Sequence, residues 1–402
     1  LEESLNAGIA GRLAADLSWA IRRARFFNQV RFVANWVILH SSFSARQLLS
    51  APVLSKTFSL LGNFAAFIAA FVLACAGIGA VLPERRVPVL TSKFDWLAQH
   101  GDEYDVLFVG SSRTYHQLAP EIFDSEMAAA GHRVRSFNAG ADAMFPPEDT
   151  YVLEKILASR TKPVRLVLVE CNPVNLRHGI DERYTLRAVH WHDSVRTWTT
   201  FRAAFFTDNK KRTWRKRLEK AQQRWPEFSE HAGYWMERNS NIGRGHELLT
   251  EWMGTASSKD KTESGLGKRN DGLMPFSVSE VMNAEQGAVY EKELAGMRAR
   301  SWRGSDGDPV SLEELRVKQR LVERAGGRMV MVIPPFVGDK IFRPKQAEGL
   351  PPLLDFTNPE KYPELFKAEH RLEISHMNNT GAQIYTRLVA RELLLLLNAE
   401  KR

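Results

Sequence analysis

Cysteine is scarce in this chain: 402 residues hold two, Cys75 in an apolar run and Cys171 at the end of an apolar segment. Two such residues build no disulfide framework, and neither has the spacing of thiolate zinc ligands. No cofactor and no metal centre is expected. Internal repeats are missing, and so is any recognised nucleic-acid motif. The net charge of +8 is therefore not read as a nucleic-acid footprint. Charge is missing altogether from Thr57 to Leu82, a run of Phe, Ala, Leu, Ile and Val whose length suits one bilayer-spanning helix. It lies far from the start and runs into Pro83-Glu84-Arg85-Arg86, which is not a small-residue cleavage site.

The remainder reads as three parts. Residues 1–56 form a cationic, amphipathic leader, in which Phe26, Phe27, Val30, Phe32, Val33, Trp36 and Val37 suit the inner leaflet of a membrane. Its arginines place it in the cytoplasm by the positive-inside tendency, although Arg85, Arg86 and Lys93 on the far side blur that signal. Residues 57–82 are the span. Residues 83–402 alternate strand and helix. Strands are expected at Asp105–Gly110, Arg133–Asn138, Val164–Cys171 and Arg328–Ile333. Helices are expected at Lys93–His100, Pro120–Gly131, Asp149–Arg160, Ser311–Ala325 and Gly381–Leu397. The helix at Ser311 would open on a capping box, Ser311-x-x-Glu314. Apolar strands alternating with helices argue for an α/β fold, a three-layer parallel sheet between helices. A long insertion, about 175–309, separates the third and fourth strands. Its first half is rich in Trp, Lys and Arg, and Gly254 to Leu273 reads as a flexible loop.

Two short motifs carry chemistry. The first strand ends in Gly110-Ser111-Ser112-Arg113, and near the end stands Glu373-Ile374-Ser375-His376-Met377-Asn378. Together they offer a hydroxyl nucleophile, a base and an orienting acid, the set needed for acyl transfer. In an open α/β sheet such groups meet at the carboxyl ends of the strands. Asn138-Ala139-Gly140 and Cys171-Asn172-Pro173 also follow strands. They would complete an oxyanion hole begun by the Ser112 backbone N–H, adding the Gly140 N–H and the amide of Asn172, or alternatively Asn175. Ser111, Arg113, His190 and His192 are weaker candidates for substrate contact. The bland reading is that Gly-Ser-Ser caps a helix and that Glu373 and His376 form a surface pair.

With these motifs the chain resembles the SGNH/GDSL hydrolase superfamily. Ser112 matches the nucleophile position, and Ser111 stands where the commoner family sequence has Asp. Gly140 matches the glycine block, and Glu373-x-x-His376 the Asp-x-x-His block with Glu for Asp. The tail Ser375-His376-Met377-Asn378-Asn379-Thr380-Gly381-Ala382 is similar to the pattern of a membrane-anchored branch that includes alginate O-acetylation accessory proteins. The resemblance covers about 100–182 and 326–397. It implies a flavodoxin-like sheet and a Ser-His-Glu esterase or O-acyltransferase acting on acetyl groups. The expected acceptor is an envelope polysaccharide or other glycan. A membrane-bound O-acyltransferase is a candidate partner. The expected location is the cytoplasmic membrane, single-pass, with the C-terminal domain periplasmic or extracellular. Two other readings stand beside it: a catalytically inactive scaffold for such a transferase, and a polyanion-binding module using Lys210, Lys211 and Arg212.

Overall fold

The computed structural model describes residues 51–82, 85–177, 182–183, 185–205, 213–241, 244, 249, 252–253, 265–276, 281–298, 308–338, 342–344 and 349–399. The leader before residue 51, the basic run Lys210-Lys211-Arg212 and the stretch 254–264 lie outside them. The chain divides into two compact units, Leu1–Ala74 and Cys75–Arg402.

Helix α1, Ala51–Val81, begins before the apolar run. Its stretch Gly62–Val81 has 20 residues and a mean hydropathy of 2.4. That is long and apolar enough to cross a bilayer.

The second unit holds a five-stranded, all-parallel sheet. Its strands are β1 (Val106–Val109), β2 (Ser136–Asn138), β3 (Leu166–Glu170), β4 (Arg328–Ile333) and β5 (Leu353–Asp355), in the spatial order β2-β1-β3-β4-β5. Pairing is in parallel register, with Leu107 opposite Phe137 and Val167, and Val167 opposite Met329. Alternate residues serve two separate cores. Leu107, Val109, Val167, Val169, Met329 and Met331 point to one face. Val106, Phe108, Leu168, Val330 and Val332 point to the other. Both faces are therefore buried, which is why these strands read as continuous apolar runs.

Helices α2 (Leu90–His100), α5 (Glu148–Ala158) and α10 (Pro309–Arg324) cover the first face. Helices α4 (Pro120–Ala129), α9 (Ala284–Arg298) and α11 (Asn379–Ala399) cover the second. A one-turn helix, α3 (Ser112–Tyr115), follows β1. The insertion adds α6 (Leu186–His190), α7 (Ser194–Phe205) and α8 (Trp214–Ser240), with α7 packed along α8.

Helix α10 starts two residues earlier than expected and has no capping box. Asp308 is its N-cap and accepts from Val310 N and Ser311 N at 3.1 and 2.9 Å. Ser311 instead receives Val174 N at 2.9 Å, and Glu314 receives the hydroxyls of Thr150 and Thr199. A carboxylate at the N-cap can take two of the helix's orphan N–H groups, so it competes successfully with the box.

Candidate active site

The strand order reverses between β1 and β3, and the loops leaving their carboxyl ends lie at that switch point, where open α/β sheets place their ligands. Ser112 leaves β1 on one side. Its Oγ lies 2.7 Å from His376 Nε2, across 264 positions of sequence. His376 Nδ1 contacts Glu373 Oε1, and Glu373 Oε2 accepts Ser375 N at 2.9 Å. With Nδ1–H pointed at the carboxylate, Nε2 carries the lone pair that faces the serine hydroxyl. Burial opposes ionisation of Glu373, but the hydrogen bonds of His376 and Ser375 and the charges of His376 and Arg371 outweigh it and hold its carboxyl below the usual range.

The loop that presents this pair is anchored at both ends. Arg371 and Met377 form an antiparallel bridge, and Leu372 N donates to His376 O at 3.0 Å. Met377 is buried in the second core. Asn378 Oδ1 accepts Gly381 N at 3.1 Å, closing the first turn of α11. Arg371 is fully buried and donates to Pro335 O at 3.2 Å and Ile374 O at 2.6 Å. Burial brings its pKa down to about 10.

Beneath Ser112 lies a carboxylate that the sequence reading missed. Glu170, at the carboxyl end of β3, is buried and accepts Ser111 N at 2.7 Å, Ser111 Oγ at 2.9 Å and Thr114 Oγ1 at 3.0 Å. Arg113 Nη2 pairs with it at 2.7 Å. Burial alone would push its carboxyl up, but the Arg113 charge and the hydrogen bonds from Ser111 bring it below the usual range. Its signal was available: it is a lone charge at the carboxyl end of a strand read as apolar. Gly110 is glycine for the same reason, because a Cβ there would sit 2.5 Å from Glu170 Cβ.

The weaker candidates divide. Ser111 is buried and serves as N-cap of α3, so it is no substrate contact. Arg113 is held by Glu170 and by Asn172 Oδ1 at 2.8 Å. His190 packs on Tyr151 and Phe94. His192 is fully buried, with Nε2 2.7 Å from His231 Nδ1 and Nδ1 against Ala188 O. These two histidines belong to the packing of the insertion and do not join Ser112.

The oxyanion candidates also divide. The Gly140 N–H is occupied by Asn138 Oδ1 at 2.9 Å. What Gly140 provides is close approach, since a Cβ there would lie 2.8 Å from Tyr115 N. Asn172 is buried beside Arg113 and Glu170, and its Nδ2 has no acceptor within hydrogen-bond range. Asn175 is exposed and its Oδ1 accepts Arg177 N, so it is spent on its own loop. The Ser112 N–H finds no acceptor among the described residues. The donors left without an acceptor among the described residues are thus Ser112 N–H and the buried Asn172 Nδ2, the kinds of group that stabilise a developing negative charge.

The insertion reaches the site. Part of the stretch expected to be a flexible loop is tied down: Asn138 N donates to Asp271 O at 2.8 Å, and Met274 N to Tyr115 O at 3.3 Å. Lys93, read from sequence as a membrane-flanking charge, is instead buried and donates to Asn138 O, Gly140 O and Gly272 O at 2.8, 2.6 and 2.9 Å. Burial drives its pKa down, yet three carbonyls require the three N–H groups of an ammonium. Phe276, from the same stretch, meets the His376 ring edge-to-face with centroids 5.4 Å apart.

Comparison with known proteins finds no matching family model and no significantly matching curated protein.

Proposed function

We propose that this chain is a membrane-anchored serine esterase or O-acyltransferase of the SGNH/GDSL type, moving or removing acetyl groups on an envelope glycan or exopolysaccharide. The observation that carries the reading is the 2.7 Å contact between Ser112 Oγ and His376 Nε2, with Glu373 on the opposite ring nitrogen. A nucleophile, a base and an orienting acid in series are the working parts of acyl transfer, whatever fold supports them.

In the first half-reaction Ser112 Oγ attacks the acyl carbon and its proton passes to His376 Nε2. The carbonyl oxygen becomes negative, and Ser112 N–H and Asn172 Nδ2 stabilise it. The C–O bond to the leaving alcohol then breaks, and His376 gives that alcohol the proton. In the second half-reaction a sugar hydroxyl or water loses its proton to Nε2 and attacks the acyl-serine. Ser112 leaves and recovers the proton. Glu373 keeps Nδ1–H in place and balances the imidazolium in both halves. Gly62–Val81 serves as the membrane anchor, with the arginine-rich leader in the cytoplasm and the α/β domain in the periplasm or outside the cell.

The test is mass spectrometry of the full chain after incubation with 4-nitrophenyl acetate. Acetylation of Ser112 is expected in wild type, absent in Ser112→Ala and strongly reduced in His376→Ala. A wild type that releases no nitrophenol and carries no acetyl-serine sinks the enzyme reading. That outcome would favour the scaffold reading, which one observation supports: the Gly140 N–H is already occupied by Asn138.

A further inference from the structure

We propose that Asp142, His116 and Phe276 form a saccharide-binding subsite beside the Ser112–His376 pair, one that holds the hydroxyl-rich ring bearing or accepting the acyl group. The proposal deepens the reading above and rests on it for its catalytic role.

The three residues come from three separate segments. His116 is the C-cap of α3, four positions after Ser112. Asp142 lies in the loop after β2, and Phe276 in the insertion. His116 Nε2 is 2.8 Å from Asp142 Oδ1, and His116 Nδ1 contacts Met274 O. Both ring nitrogens therefore face acceptors. Phe276 stacks on His116 with centroids 4.0 Å apart, and the same ring meets His376. Burial opposes ionisation of Asp142, but the hydrogen bond and charge of His116, and the charges of Arg187 and His376 after them, hold its carboxyl below the usual range. The group is thus continuous with the catalytic base.

Its free chemistry is that of a sugar site. The Asp142 side chain is 61% exposed, and its Oδ2 makes no hydrogen bond among the described residues. A carboxylate oxygen turned to solvent accepts from hydroxyls, and the partly exposed Phe276, stacked on the His116 that pairs with Asp142, offers apolar surface to the C–H face of a pyranose. An ordinary surface ion pair needs neither an aromatic bridge to the catalytic histidine nor a rigid mount. This one has both. Lys93 clamps the backbone on either side of the group, at Asn138, Gly140 and Gly272. The insertion thus contributes Phe276 and the Met274 carbonyl to this group.

The test uses the full chain in detergent. Cellotetraose, mannotetraose and chitotetraose are titrated calorimetrically into wild type, Asp142→Ala, Asp142→Asn and Phe276→Ala, with far-UV spectra checking the fold of each. At least one tetrasaccharide is expected to bind wild type, with Kd rising tenfold or more in both Asp142 variants and in Phe276→Ala. In parallel, the kcat/KM ratio of the acetylated form of that tetrasaccharide to 4-nitrophenyl acetate is expected to fall at least tenfold in Asp142→Ala. Failure of all three sugars to bind wild type overturns the proposal, as does equal binding by wild type and the Asp142 variants. An unchanged ratio would mean that Asp142 acts only through His376 and likewise overturns it. Saccharide binding without any acetylation of Ser112 would sink the catalytic reading and leave the subsite standing. Acetylation without saccharide binding would do the reverse.

Discussion

At the scale of single residues, the site is a balance of buried charges around one hydroxyl. Removing that hydroxyl in Ser112→Ala should lower kcat by about 10⁴-fold with KM little changed, measured with an activated acetyl ester. Glu373→Gln keeps the shape but loses the charge that orients His376, and a fall of at least about 100-fold in kcat is expected. Glu170 governs the platform beneath. Glu170→Gln would leave the Arg113 guanidinium without its anion, which costs about 3–5 kcal/mol in urea unfolding. The pH dependence has a definite sign. The Glu170 carboxyl is depressed in the folded protein, so its contribution is present above its ordinary value of 4.5. It is lost as pH falls through the folded-state value, where the unfolded chain already carries the extra proton. The acid limb of the stability curve should be shallower in Glu170→Gln, and an unchanged limb would remove Glu170 from this role.

At the scale of elements, helices are joined to the sheet by apolar packing and to each other by a few buried polar contacts. Lys318 on α10 and Asp149 on α5 form an ion pair in which both side chains are fully buried. Burial pushes the Asp149 carboxyl up in spite of its partner, the mark of a pair whose desolvation is not repaid. Lys318→Met alone should cost about 3–5 kcal/mol, whereas Lys318→Met with Asp149→Leu should recover most of it. A double-mutant cycle in urea measures this. In the insertion, α8 is held by His231, whose Nε2 lies 3.1 Å from Leu176 O and whose Nδ1 meets His192. Burial lowers its pKa from 6.5 to about 4. Between those values the unfolded chain binds the proton and the folded chain does not. Stability should therefore fall by about 3 kcal/mol as pH drops through that window, then level off below it. Tryptophan fluorescence of α7 and α8 follows the change, and His231→Gln should flatten it.

At the scale of the whole molecule, one apolar helix and one doubly wound domain share a chain. Membrane anchoring predicts that wild type stays in the pellet after carbonate washing and that deletion of 62–81 releases it. A wild type that washes off would deny the span. What the sequence determined by itself was whatever depends on local order: the apolar run, the strands whose two buried faces demand uninterrupted hydrophobic residues, and the turn after β1 and the motif before α11. Strand β5 was not anticipated: Leu353–Asp355 follows Pro351-Pro352, and three residues there carry no periodic signal, whereas the equally short β2 was expected as the end of Arg133–Asn138. The pairing of Ser112 with His376 was expected from motifs, but their 2.7 Å approach is a property of the sheet order. Tertiary structure alone decided the fates of Glu170, Lys93, His192 and Asp142. A charged or polar side chain looks the same in sequence whether it meets water, three carbonyls, another imidazole or a nucleophile's backbone. Which of these it meets depends on loops that converge only when parallel strands from distant parts of the chain lie side by side.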